Sequence, residues 1–178
     1  MCRNRWRKKL PCPPDSVERA GGRPSVTKTW WILLSSSNLF VYGSLLNRKV
    51  FQAVTGVFPT YQGAILGNYK RTRLLDRVYP GIVKASDCFV AGSLVNDLDQ
   101  RTVEALDLFE DDVYARKPVS VSPAEGEAVE SFTYVLSPEY IHLIVDEKWD
   151  LSEFEESHLD SYLVGCKRFN AGLARRGS

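Results

Sequence analysis

An apolar run ends in a glycine and a serine at Phe40 to Leu45, FVYGSL, and an apolar helical stripe ends in a carboxylate at Glu110. Gly43 lacks a side chain, so its backbone can come close to a ligand or take a positive φ. If a helix follows from Leu45, the amides of Ser44, Leu45 and Leu46 stand at its N-terminus, where they attract a carboxylate or an oxyanion. The plain alternative is a tight turn with no ligand. As an acyl nucleophile Ser44 fits poorly, because no G-x-S-x-G surrounds it and neither histidine is placed as its partner.

Glu110 follows Val103 and Leu106 at the i, i+3 and i+7 positions of one helix face. A carboxyl on that face is desolvated, which disfavours its charged form. The negative end of the helix dipole, and Asp107 one turn earlier if it is close, act in the same direction. Together these effects make Glu110 a candidate general base near neutral pH. The competing reading is structural: Glu110 pairs with Arg116 or caps a turn.

These residues need elements to hold them. Asn38 to Tyr42 suits a short buried strand, and Leu45 to Val54 a helix capped by Ser44 and broken by Gly56 to Pro59. YQGAILGNYKRT, RVYPGIV and CFVAGSLV read as strands, with the proline of the second suiting an edge or a bulge. Gly63, Gly67 and Gly92 within these runs suggest a sharply curved sheet or small barrel. NDLDQRTVEALDLFEDD is the clearest helix, with a capping-box-like start at Asp97 and Gln100. VYARKPVSVS and ESFTYVLS form a strand pair around Pro123 to Glu127. LSEFEESHLDSYLVGCKRF closes the chain as one helix with a capping box at Ser152 and Glu155. The order of elements points to a mixed α+β domain.

Composition narrows the function classes. The chain has 178 residues, 44% of them hydrophobic and 25% charged, as in an ordinary single-domain globular protein. Its net charge of +1 hides a basic segment, residues 1–37, which holds Arg3, Arg5, Arg7, Lys8, Lys9, Arg19, Arg23 and Lys28 against Asp15 and Glu18. The rest is mildly acidic, so no nucleic-acid-binding domain is expected. Segment 1–37 reads as a disordered tail, either an organelle-targeting extension or one with no address. The domain then spans 38–170, and 171–178 is expected to be a flexible end. Cys2, Cys12, Cys88 and Cys166 lack metal-ligand spacing and suit a reducing, cytoplasmic setting. His158, between Phe154 and Tyr162 at helical spacing, reads as a half-buried histidine rather than a ligand. No metal, haem or other cofactor is expected. The uncharged run Thr29 to Asn47 is interrupted by Ser35, Ser36, Ser37 and Asn38, so no membrane span is expected either.

FVYGSL, VYPGIV and LDLFEDDVYAR, in this order and spacing, resemble the gamma-glutamylcyclotransferase-like superfamily, within it the avirulence-induced-gene proteins of plants. The resemblance runs from about Asn38 to Phe169. It implies a small mixed β-barrel with flanking helices. It also implies that Tyr42, Gly43, Ser44, Leu45 and Leu46 hold a gamma-glutamyl group, and that Glu110 is the catalytic acid/base. Tyr79, Pro80, Gly81, Tyr114 and Arg116 match the pattern as further pocket candidates. Asp111 stands where many relatives have glycine, so the following turn is expected to differ.

The reaction so implied is intramolecular aminolysis. The α-amine of a gamma-glutamyl compound attacks its own side-chain carbonyl, giving 5-oxoproline and freeing an amine or amino acid. A monomer acting on a small molecule is expected. Two rivals stay open: a non-catalytic binding or regulatory domain that keeps the pocket, and an enzyme that cleaves another amide.

Overall fold

The computed structural model describes residues 37–110 and 112–176. The basic segment 1–37, apart from Ser37 itself, lies outside the described residues, as does Asp111.

Six strands and four α-helices are present among these residues. The strands are β1 (Ser37–Val41), β2 (Gln62–Leu74), β3 (Pro80–Leu98), β4 (Tyr114–Pro123), β5 (Val129–Leu136) and β6 (Ile144–Val145). The helices are α1 (Arg48–Thr55), α2 (Gln100–Glu110), α3 (Leu151–Ser157) and α4 (Leu159–Arg176). The strand order β3-β1-β5-β4-β2 closes on itself through a β2–β3 pairing, and β6 adds to the free end of β2. Only β1 and β5 run parallel, with Leu39 opposite Phe132; the other neighbours are antiparallel. The result is the expected small mixed β-barrel with flanking helices, closed here by five strands.

β1 explains why its sequence is apolar without alternation. Phe40 packs into the barrel interior with Leu66, Ile82, Leu94 and Val121. Leu39 and Val41 point the other way, into a core shared with Val50, Phe51, Val54, Leu106, Phe154 and Cys166 from the helices. A strand covered on both faces buries successive residues, as Leu39, Phe40 and Val41 are here. Its C-terminal end therefore emerges where barrel and helices meet.

Several elements differ in detail from the sequence reading. The two expected strands RVYPGIV and CFVAGSLV are one long strand, β3, with Pro80 as its first residue, where no ladder amide is needed. The barrel bends at Asn68 and Asp87, whose φ angles of 62° and 61° flank a register shift between Gly67 and Tyr69. Gly63 and Gly67 sit in open space. Gly92 is needed for closeness: a Cβ there would press on the Val41 carbonyl and reach within 2.6 Å of the Phe40 ring.

Helix starts also shift. Asp99 caps α2, accepting from the Thr102 amide at 2.7 Å, while Asp97 takes a left-handed φ of 57° at the strand end. Asp150 caps α3 by accepting from Ser152 and Glu153, so the Ser152–Glu155 box does not form. Glu155 accepts instead from Asn47 Nδ2 at 2.8 Å. The expected single C-terminal helix breaks at half-buried His158 and resumes as α4. The 171–178 end is helical as far as Arg176, and its last two residues lie outside the described residues.

Candidate active site

The loop after β1 is a 3-10 turn, Ser44–Leu46, in which the Leu46 amide donates to the Gly43 carbonyl at 2.9 Å. The α-helix starts later than expected. Asn47, not Ser44, caps it by accepting from the Lys49 and Val50 amides at 2.9 and 3.3 Å. The Ser44 and Leu45 amides thus head the turn with no acceptor inside it, whereas that of Leu46 is used within it. Side chains brace this loop from behind. Arg71 Nη1 donates to the Tyr42 carbonyl at 2.7 Å, and the Tyr61 hydroxyl donates to the Leu45 carbonyl.

Gly43 is not in the left-handed region; its φ is −122°. What it supplies is space, because a Cβ there would lie 2.9 Å from both Cγ and Cδ of Pro80. The glycine of the first motif and the proline of the second are therefore packed directly on one another.

Glu110 ends α2 and turns its carboxyl into the same space. Burial pushes that carboxyl up to about 8. Burial alone accounts for the shift, so the like charge of Asp107 is not needed. Asp107 turns instead to Arg116 Nη1 at 3.4 Å and accepts from the Tyr134 hydroxyl at 2.8 Å. No ion pair to Glu110 occurs among the described residues, and the alternative Glu110–Arg116 pair does not form.

A cavity of about 380 Å³ joins these parts, within the range of small-molecule sites. It brings together Tyr42, Gly43, Ser44, Leu45, Tyr79, Pro80, Glu110 and Tyr114. It leaves out Leu46, Gly81 and Arg116. Gly81 is buried against Leu74 and Leu136, and Arg116 lies over the Phe132 ring at 5.1 Å beside Asp107. The cavity also includes Phe109, Val113 and Tyr134, and from α4 Ser161, Tyr162, Gly165 and Cys166. The spacing of Phe154, His158 and Tyr162 marks that wall in the sequence, but only as an apolar stripe; Cys166 continues it.

The electrostatics suit a cavity that holds neutral donors around one titratable acid. Burial, with Glu110 close by, keeps the Tyr42, Tyr114, Tyr134 and Tyr162 phenols protonated well above their ordinary range. Burial also raises the Cys166 thiol to about 11. Among the described residues no Lys, Arg or His lines the cavity. Among the described residues no group of three or more His, Cys, Asp or Glu is placed to hold a metal, and no helix is long and apolar enough to cross a membrane.

Residues 39–151 match the family described as Gamma-glutamyl cyclotransferase, AIG2-like. AIG2-like protein C of Arabidopsis thaliana is 31% identical over 133 residues, which cover 74% of this chain and 77% of that protein. An Arabidopsis thaliana protein solved in solution superposes with a TM-score of 0.56 at 25% identity, covering 75% of this chain and 89% of the other. A solved gamma-glutamyl cyclotransferase shares the fold at 17% identity, with a TM-score of 0.54 and coverage of 75% and 87%.

Proposed function

We infer what the cavity does from a plain premise: the chain belongs to the gamma-glutamyl cyclotransferase, AIG2-like family. We propose that it cyclises the gamma-glutamyl group of a small molecule, releasing 5-oxoproline and an amine or amino acid. The observation that carries this reading is Glu110, a carboxyl raised to about 8 by burial, on the wall of the cavity that the Tyr42–Leu45 loop also lines.

In the reaction, the substrate's α-ammonium first gives a proton to the Glu110 carboxylate. The amine nitrogen then attacks the γ-carbonyl carbon of the same molecule, forming the ring C–N bond and placing negative charge on the carbonyl oxygen. Collapse of this tetrahedral species breaks the bond to the leaving nitrogen, which takes the proton back from Glu110. The carboxylate so restored removes the second proton from the ring nitrogen and passes it to the departing amine, which leaves as an ammonium ion beside the neutral 5-oxoproline ring. A carboxyl that titrates near the working pH suits these transfers. The Ser44 and Leu45 amides are donors suited to the oxyanion. Because nucleophile and electrophile belong to one molecule, holding it in the ring-closing conformation supplies much of the acceleration. No step requires a metal or an organic cofactor.

The test is to incubate the protein with gamma-glutamyl amino acids, glutathione and gamma-glutamyl-amines and to measure 5-oxoproline. Release from at least one of these classes is expected. Binding without release from any of them would favour the non-catalytic reading and overturn this one.

A further inference from the structure

A gamma-glutamyl head group carries a permanent α-carboxylate, yet among the described residues that line the cavity none is cationic. Among these residues, neutral donors are what can hold that anion. Most of the phenols around the cavity already have acceptors in the protein. Tyr42 donates to the Tyr134 carbonyl at 2.7 Å, Tyr114 to the Pro80 carbonyl at 2.7 Å, and Tyr134 to Asp107.

Tyr162 is different. Its hydroxyl lies 3.3 Å from Ser44 Oγ. Two hydroxyls that share one hydrogen bond hold two protons between them, so one O–H is left to donate outward. Ser44 is 7% exposed, opens the 3-10 turn and lines the same cavity. The Tyr162 ring is fixed by edge contacts to Tyr79, Phe109 and Phe154, with centroids 6.4, 6.3 and 5.3 Å away. The phenol keeps its proton, because burial and the proximity of Glu110 hold it well above its ordinary range. Tyr162 also lies beyond the matched segment, which ends at residue 151.

We propose that the Tyr162–Ser44 hydroxyl pair, beside the turn amides, holds the α-carboxylate of the substrate, so that α4 completes the site from outside the segment that matches the family. The inference rests on the reading of the cavity as a gamma-glutamyl site. It makes Tyr162 a binding residue for the anionic end of the head group, leaving the proton transfers to Glu110.

The test separates the acid from its neutral analogue. 5-Oxo-L-proline and its carboxamide are titrated into the full chain and followed by NMR chemical shifts, which also report whether each variant is folded. The wild type should bind the acid about tenfold more tightly than the amide. Tyr162→Phe keeps the ring contacts, and should weaken the acid about tenfold while changing the amide by less than about twofold; these factors correspond to loss of one hydrogen bond to a charged group. Ser44→Ala should give the same acid-selective loss at about threefold, an independent check should Tyr162→Phe unfold. Equal loss of acid and amide in either variant, no loss in Tyr162→Phe, or no wild-type preference for the acid would overturn the proposal. Failure of the catalytic reading shows separately, as absence of 5-oxoproline release by a protein that still binds the acid.

Discussion

Arg116 reaches Asp107, not Glu110. Its Nη1 lies 3.4 Å from Asp107 Oδ2, and the Tyr134 hydroxyl takes the other oxygen at 2.8 Å. The two acids of α2 are thereby divided. Asp107 is held by a cation and a phenol on a part-exposed face, while Glu110 projects into the cavity with burial as the cause of its raised titration. An unpaired, desolvated carboxyl suits proton transfer; a paired one does not.

Asp107→Ala should therefore be mainly a stability change. The ion pair is part-exposed and contributes little, but Tyr134 loses a charged acceptor next to the cavity wall. A loss of about 1 to 2 kcal/mol is expected, read as a lower urea midpoint at unchanged slope. The rate should fall far less than in Glu110→Gln. A rate loss as deep as that of Glu110→Gln in folded Asp107→Ala protein would make Asp107 part of the chemistry.

Glu110→Gln keeps size and shape and removes the proton acceptor. Turnover should drop about a thousandfold, in line with the loss of a general base. Circular dichroism should show the same fold. Wild-type rates in this variant would eliminate Glu110 from the proton transfers.

The pH dependence follows from the same group, and its sign is opposite to that of a salt-bridged acid. Folding raises the Glu110 carboxyl from 4.5 to about 8. Between those values the folded state binds more protons than the unfolded one, so stability falls as pH rises and levels off above about 8. Glu110→Gln should remove this fall. At pH 9 it should be more stable than wild type by on the order of 3 kcal/mol, allowing for solvent in the open cavity, and it should gain nothing of the kind at pH 4. For the wild type, kcat/KM should rise towards pH 8, since below it Glu110 already holds the proton it must accept. Thermal melts and rates across pH 4 to 9 would check both limbs; an acid limb near 5 would contradict the burial argument.

Much of this arrangement was legible in the sequence because it rests on local patterns. Val103, Leu106 and Glu110 share a face on any helix, and a covered strand reads as an unbroken apolar run. What was not legible depends on contacts distant in the chain. Ser44 and Asn47 both fit a helix cap; the fold decides between them, since the Ser44 hydroxyl meets Tyr162 from α4 and Asn47 meets Glu155 from α3. Arg116 matched the pattern of a pocket residue, but β4 carries it to the Asp107 side. For Gly43 the sequence offers close approach to a ligand or a positive φ; the φ is not positive, and the closeness the fold requires is to Pro80.

That closeness makes a prediction about the loop. An added Cβ at Gly43 meets the Cγ and Cδ atoms of Pro80 at 2.9 Å. Gly43→Val should therefore displace the loop from the β3 start and weaken substrate binding at least tenfold, on the order of the 1 to 3 kcal/mol that overpacking costs. Gly43→Ala should be less severe. Pairing it with Pro80→Ala, which removes the two atoms it meets, should restore part of the loss, so the double variant is better than the sum of the singles. Strict additivity would separate the two motifs. Ser44→Ala should remain active with only a few-fold change, because one hydroxyl of the pair survives; a dead but folded Ser44→Ala would instead point to a nucleophilic serine.

Gly165 tests where the leaving group lies. It lines the cavity from α4, three residues after Tyr162, and a Cβ built on it meets nothing within 4 Å. Substitution there is sterically free, and replacing a helical glycine should add about 0.5 to 1 kcal/mol of stability. Gly165→Leu should thus raise the melting temperature while narrowing the space beside Tyr162. With its α-carboxylate on the Tyr162–Ser44 pair and its amine at Glu110, the head group reaches α4 at Tyr162, so bulk added one turn further along should meet a substituent that extends from the γ-amide along that helix. The expected result is a kcat/KM nearly unchanged for a small leaving amine and lowered about tenfold for a bulky one, the size of discrimination that a few crowded methylenes provide. An equal fall for both would place the obstruction at the head group. No fall for either would direct the leaving group away from α4, towards the open side of the cavity.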